Sequence, residues 1–297
     1  MPLLTKEDIK GLPGWVFDIA AKITAIDKTN ELYDKICDYQ GPDFACELLR
    51  RIGVDYQIGN HDRLSDLPDG PFITISNHPY GSIDGIMLVD LFGHLRPDFK
   101  VMVNKFLSCI KNLNGNWITV VPTGKTKGDI KAESIKGVKE VLTRIRDGHP
   151  VGFFPSGAVS DFKFGEGVRD REWQAEVIRL IKKCHVPIVP VRFFDKNTPF
   201  FYALGLIDWR IRVARLPREM LNKGGKVARL GIGNIISVED QDRCSDLEEF
   251  RKMLRDSVYG MSLPDSFILR SAFDSKLSEK HGHSSDAFRQ ELSVSQF

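Results

Sequence analysis

The chain has 297 residues, a formal net charge of +2 and 42% hydrophobic residues, an ordinary folded composition with no field that selects nucleic acid. That length buries a sizeable core, as one large α/β domain with a helical N-terminal extension or as two domains. The five cysteines (Cys37, Cys46, Cys109, Cys184, Cys244) are odd in number and never at C-x-x-C spacing, which argues against a zinc cluster or disulfide framework and for a reducing cytoplasm.

The opening MPLLTKEDIKGLPGW has no charged start followed by a long apolar run, so no signal peptide is expected. No window of about eighteen apolar residues occurs, so no transmembrane helix is expected and any membrane contact is peripheral. Residues 1–50 read as helical, with a break near Gly11, Pro13 and Gly14. Phe44, Leu48 and Leu49 mark one face of a short helix after Pro42.

From about residue 71, strand-length apolar runs alternate with helical patterns. The strands are Phe72–Ser76, Lys100–Val103, Trp117–Val121, Val151–Phe154, Ile188–Phe193 and Val227–Ile232. Ile135, Val138, Leu142 and Ile145 form one amphipathic stripe, and Trp173, Val177 and Leu180 a second. A further helix is expected over 243–259, and the Ser-, Lys- and His-rich end from about 272 reads as mobile or loosely docked. The alternation predicts an α/β fold with a largely parallel or mixed sheet flanked by helices. Apolar runs without strict alternation predict strands covered on both faces. The expected organisation is a helical extension over 1–60, a catalytic domain over 61–260 and a C-terminal tail over 261–297.

The first strand runs directly into Asn77-His78-Pro79-Tyr80-Gly81-Ser82-Ile83-Asp84. Ligands bind at the carboxyl ends of strands in such sheets. A turn built with Pro79 and Gly81 lets the His78 and Asp84 side chains meet, and a carboxylate beside an imidazole is a general-base arrangement. The pair alone equally describes a surface histidine near a helix-capping aspartate. No Gly-x-Ser-x-Gly elbow supports a hydrolase, Ser82 being the nearest hydroxyl, and no second histidine at useful spacing supports a metal site.

Asn-His-Pro-x-Gly-x-x-Asp after a strand resembles the first block of the glycerolipid and lysophospholipid acyltransferase family, closest to its bacterial hemolysin-like branch. The broad family has four residues between His and Asp; this chain has five, Pro79 to Ile83, as the branch does. Later blocks follow in order: Val103-Asn104-Lys105, Trp117 to Pro122, Phe153 to Ser160, Arg169-Asp170-x-x-Trp173, Val186 to Val191, Asn197 to Tyr202, and Leu216 to Met220. The resemblance covers roughly residues 60 to 258. It implies that His78, oriented by Asp84, takes a proton from a lipid hydroxyl, which then attacks the thioester of acyl-CoA or acyl carrier protein. It also implies substrate contacts at Asn77, Asn104, Pro155, Ser156, Gly157, Arg169, Asp170 and Trp173. Phe153 to Ser160 takes the place of the family's Glu-Gly-Thr-Arg block, which usually handles a substrate phosphate. The missing Glu and Arg tilt the expected acceptor from lysophosphatidic acid toward a lyso-aminolipid.

Read as residues alone, several of these have second meanings. Phe153 to Gly157 is equally a buried strand and turn, or a set of N–H groups for an oxyanion. Asn77 and Asn104 suit turns and caps, and Arg169 a solvated ion pair. Residues 209–229 carry seven cations against Glu219 alone, a local +6. Beside them lies Pro199 to Ile207, then Trp209. Phe200, Phe201, Trp209, Arg210, Arg212 and Arg215 therefore suggest contact with an anionic lipid surface, with the CoA phosphates as a second partner for the arginines, or a core segment with solvated arginines. The expectation is an acyltransferase needing no metal or redox cofactor, with acyl-CoA or acyl carrier protein, a lipid acceptor and a membrane surface as partners and no nucleic acid. It would sit in the cytoplasm on the inner face of the membrane. The competing classes are a lipid-binding protein without turnover and a lipid hydrolase.

Overall fold

The computed structural model describes residues 25–120 and 129–273. The expectations for the first helical stretch, for Val121 and Pro122 and for the end of the tail lie outside these residues. The described chain runs α1 (Ile26–Asp34), α2 (Gly41–Arg51), β1 (Gln57–Gly59), β2 (Ile73–Ser76), α3 (Ile83–Leu95), β3 (Lys100–Asn104), β4 (Trp117–Val120), α4 (Asp129–Arg146) and β5 (Val151–Phe153). It continues through β6 (Asp161–Lys163), β7 (Gly167–Arg169), α5 (Ala175–Cys184), β8 (Ile188–Phe193), α6 (Pro199–Ile207), α7 (Trp209–Ala214) and α8 (Leu216–Leu221). It ends with β9 (Arg229–Ile232), α9 (Val238–Asp242), α10 (Leu247–Tyr259) and β10 (Phe267–Leu269).

Eight strands form one mixed sheet in the order β10-β1-β9-β8-β2-β5-β3-β4. The five from β8 to β4 are parallel, and β9 turns back antiparallel on β8. Ile73 sits between Ile188 and Val151, so the carboxyl ends of β2, β5 and β8 open at one edge. All four residues of β2 are buried, because each face of the sheet is covered. Phe72, Val101, Val189 and Val191 pack under Phe44, Leu48, Met87 and Phe92 of α2 and α3. Ile73, Ile75, Val151 and Phe153 pack under Val141, Ile178, Ile181, Phe250 and Leu254 of α4, α5 and α10. Neighbouring residues of a strand thus feed opposite cores, the continuous apolar pattern of a doubly covered sheet.

Three features depart from the sequence expectation. Ile135 and Val138 of α4 are exposed; the helix presses instead through Gly137, Val141 and Ile145. A Cβ on Gly137 would stand 2.5 Å from a Val120 methyl and 3.2 Å from the Thr119 carbonyl oxygen. The contact is built on a missing side chain, which hydrophobic periodicity does not register. Trp173 is buried but lies ahead of α5 rather than on it. The short strands β1 and β10, outside the expected 61–260 core, belong to the main sheet, and β6 with β7 forms a separate hairpin. Among the described residues, no helix is long and apolar enough to cross a membrane.

Candidate active site

Backbone pairing of β2 with β8 ends at Ser76 and Val191. The next residue continues it with a side chain: the Asn77 amide donates to the Phe193 carbonyl at 2.9 Å, and the Phe193 N–H donates to the Asn77 Oδ1 at 2.8 Å. Asn77 is buried, so it anchors the start of the turn rather than meeting solvent. From there the turn is fixed through several of its backbone groups. The His78 N–H donates to Asp170 at 3.1 Å, and the His78 carbonyl accepts from the Ser160 N–H at 2.9 Å. The Pro79 carbonyl accepts from the Tyr202 hydroxyl at 2.9 Å, and that of Tyr80 from the Asn197 amide at 2.8 Å. Gly81 has φ +74°, and a Cβ there would stand 2.3 Å from a Val159 methyl. Only glycine satisfies both constraints.

The chain thereby folds back so that Asp84, in the first turn of α3, reaches His78. Asp84 Oδ2 lies 2.8 Å from His78 Nδ1 and accepts the Tyr80 and Gly81 N–H groups, each at 3.1 Å. Oδ1 accepts the Gly85 N–H at 3.1 Å. An ionised carboxylate only accepts, so Nδ1 carries the proton and Nε2 the lone pair. Nε2 has no hydrogen-bond partner among the described residues. Asp84 is fully buried while the histidine side chain stays 18% exposed, and its ring stacks on Phe154 with centroids 4.1 Å apart. Burial, the largest influence, lowers the His78 pKa, but the charge and hydrogen bond of Asp84 with the charge of Asp170 outweigh it and raise the pKa above the ordinary value.

Asp170 is buried and central. Besides the His78 N–H it accepts the Ser160 hydroxyl at 2.5 Å and the Trp173 indole N–H at 3.1 Å, and its own N–H donates to the Tyr259 hydroxyl at 2.8 Å. Burial raises its pKa against the lowering effect of these donors. Asp170 and Trp173 therefore support the histidine from behind, while neighbouring Arg169 is exposed, its guanidinium 5.2 Å from the Tyr259 ring centroid.

Pro155, Ser156 and Gly157 leave the end of β5 beside the histidine. The Gly157 N–H closes a turn on the Phe154 carbonyl at 2.9 Å. The Ser156 hydroxyl donates to the Ala158 carbonyl at 2.8 Å, and Gln174 holds the Pro155 and Ser156 carbonyls. The Gly157 N–H is thus committed to the turn, and Ser156 is itself buried. Asn104 lies exposed at the end of β3, on the same edge of the sheet.

The six residues expected at an anionic surface divide. Phe200, Trp209 and Arg210 are exposed. Phe201 is fully buried, and Arg212 is buried in an ion pair with Asp161 while donating to the Ser160 carbonyl at 3.3 Å. Arg215 is largely covered and pairs with fully buried Glu219 at 3.1 Å. These three stand behind the surface and brace it.

Sequence reasoning gave no individual role to Ser160, Asn197, Tyr202 or Lys223. Asn197 and Tyr202 lie in a block noticed for resemblance, but their bonds to the histidine turn cross over a hundred residues, which no local pattern signals. Lys223 places its ammonium 4.5 Å from the Tyr80 ring centroid, and burial pushes its pKa down to about 8. Among the described residues, no group of three His, Cys, Asp or Glu side chains is arranged to hold a metal ion.

Comparison with known proteins adds three findings. The family model described as acyltransferase matches residues 6–265. A lyso-glycine lipid O-acyltransferase of Phocaeicola vulgatus is 27% identical over 259 residues, covering 84% of this chain and 88% of that protein. A lyso-glycine lipid O-acyltransferase of Bacteroides thetaiotaomicron is 26% identical over 258 residues, covering 84% and 91%.

Proposed function

The chain belongs to the acyltransferase family, and from that premise we propose that it transfers a fatty acyl group to the hydroxyl of a lipid, with His78 as general base and Asp84 as the group that orients it. The observation that carries this reading is the 2.8 Å contact from His78 Nδ1 to a fully buried carboxylate at the mouth of parallel strands. Nε2 takes the proton of the acceptor hydroxyl. The oxygen attacks the thioester carbonyl carbon of acyl-CoA or acyl carrier protein and forms a tetrahedral oxyanion. That intermediate collapses to the ester and expels the thiolate, which recovers the proton from the imidazolium. Asp84 keeps the proton on Nδ1 and stabilises the imidazolium while it exists. No metal or redox cofactor enters these steps.

The acceptor is proposed to be a lyso-aminolipid, and specifically a lyso-glycine lipid. Two points support this choice: the names of the two relatives, and the lack of Glu and Arg in Phe153 to Ser160, the stretch whose resemblance is to the family's phosphate-handling block. Asn104, Gly157 and Arg169 remain the exposed candidates for substrate contact. The site is proposed to work from the cytoplasm against the inner face of the membrane.

The test is transfer from labelled acyl-CoA and acyl carrier protein to lyso-glycine lipid and, separately, to lysophosphatidic acid. Product from lyso-glycine lipid alone is the expected result, with His78→Ala lowering turnover about 10²–10⁴-fold. Undiminished turnover in that variant would overturn the role of His78. Product only from lysophosphatidic acid would overturn the acceptor.

A further inference from the structure

A soluble surface carries single apolar side chains everywhere, but their crowding marks an interaction site. Here Phe162 and Phe164 project from the β6–β7 hairpin, Phe164 being 83% exposed. Leu206, Ile207, Ile211 and Val213 are exposed on α6 and α7, Ile207 being 77% exposed. They join the already exposed Phe200 and Trp209. The hairpin and the helices are one unit. Val159 ahead of the hairpin packs with Phe201 and Tyr202 of α6, and Val168 of β7 and Leu216 of α8 close around them. Arg212 of α7 pairs with Asp161 of β6 beneath the surface.

Cations stand among these apolar groups. Lys163 lies exposed between the two phenylalanines, and Arg210 stacks on Trp209 at 5.7 Å. The nearby acids are Glu166, exposed at the hairpin tip, and Asp208, whose carboxylate caps α7 by accepting the Arg210 N–H at 2.7 Å. Aromatic and aliphatic side chains rimmed by Lys and Arg are the composition of an element that lies in the headgroup region of an anionic leaflet.

The same unit holds the histidine turn. Tyr202 grips the Pro79 carbonyl, the Ser160 N–H grips that of His78, and Val159 fills the space against Gly81. We propose that the β6–β7 tip and the α6–α7 elbow form one docking surface for an anionic lipid leaflet, with Phe164 and Ile207 entering it and the histidine turn held at a set distance from it. The purpose of this surface rests on the acyl-transfer reading; its existence does not, and the two are tested apart.

The experiment is co-sedimentation of the full chain with vesicles of equal parts phosphatidylglycerol and phosphatidylcholine, and with phosphatidylcholine alone. Phe164→Ser and Ile207→Ser together are expected to weaken partitioning onto the anionic vesicles by at least about tenfold. The thermal midpoint and turnover on detergent-dispersed acceptor should stay unchanged. Trp209 fluorescence should shift to the blue on anionic vesicles in the wild type and less in the double variant. His78→Ala should bind vesicles as the wild type does, so its turnover tests the base and its sedimentation tests the surface. Unaltered partitioning of the double variant overturns the proposal. Equal binding to both vesicle types overturns its anionic part. A lipid-free dimer dispersed by the same substitutions overturns it in favour of a second copy of the chain.

Discussion

At the scale of single residues, the proposed chemistry turns on how Asp84 changes His78. A base must be neutral to act, and the raised pKa means the neutral form is gained only as pH climbs past the ordinary histidine range. The kcat/KM profile is therefore expected to rise to a plateau with an apparent pKa above 6.5. Asp84→Asn removes the charge that raises the pKa and leaves the burial that lowers it. Its profile should shift to lower pH while its plateau falls by about 10²–10⁴-fold, because the proton on Nδ1 is no longer fixed. A profile unmoved by the substitution would separate Asp84 from the reacting histidine. Asp170 makes a different prediction. Asp170→Asn replaces an acceptor of three donors with a side chain that also donates, so one buried partner is left unsatisfied at about 1–3 kcal/mol. Thermal unfolding should show that loss. If Asp170 acts only by holding the His78 backbone, kcat falls with KM for both substrates little changed; a rise in KM alone would restore it as a substrate contact. The sequence made His78 and Asp84 legible because a strand, a turn and a helix start bring them together within seven positions. It pointed to Asp170 as a motif residue but not to its role, which runs through backbone groups far away in the chain.

At the scale of elements, legibility followed burial. The parallel strands β2, β3, β4, β5 and β8 are visible as apolar runs because burial on two faces removes the polar alternation. β1, β6, β7 and β10 each carry partly buried or exposed residues, whereas β5, equally short, is buried throughout, and β1 and β10 are strands only because distant partners pair with them. Helix α4 was legible as a helix and wrong in its buried face. Hydrophobicity weighted Ile135 and Val138, whereas close packing on β4 is set by Gly137. The two choices are separable by stability. Gly137→Val drives methyl groups into Val120 and the Thr119 carbonyl and should cost about 1–3 kcal/mol through overpacking. Ile135→Ser on the exposed side should stay within about 0.5 kcal/mol. Denaturant midpoints of the two variants decide it, and a larger loss for Ile135→Ser would return the buried face to the periodic stripe.

At the scale of the molecule, two segments that flank the expected 61–260 core are fastened to the helix that carries Asp84. Six residues along α3, Asp90 is buried and bonded by Arg270 through both carboxylate oxygens, at 3.0 and 3.1 Å, and by the Tyr56 hydroxyl at 2.6 Å. Tyr56 adjoins β1 and Arg270 adjoins β10, so the segments just outside the expected 61–260 core close on α3. A composition shift marks neither connection, since one buried carboxylate does the joining. His94, one turn on, adds an ionisable partner. Burial lowers its pKa most, but its bonds to Asp90 and that carboxylate's charge reverse the effect and raise it to about 9. A histidine raised when folded contributes stability that is complete below its unfolded value near 6.5 and is lost as pH rises through about 9. With the side chain 28% exposed, the contribution is about 2 kcal/mol. Between pH 6.5 and 9 the wild type should therefore lose stability that His94→Gln never had, so the difference between their unfolding free energies should shrink as pH rises. Parallel curves for the two proteins across that window would remove His94 from the network, leaving Arg270 to neutralise Asp90 while Tyr56 donates a hydrogen bond to it.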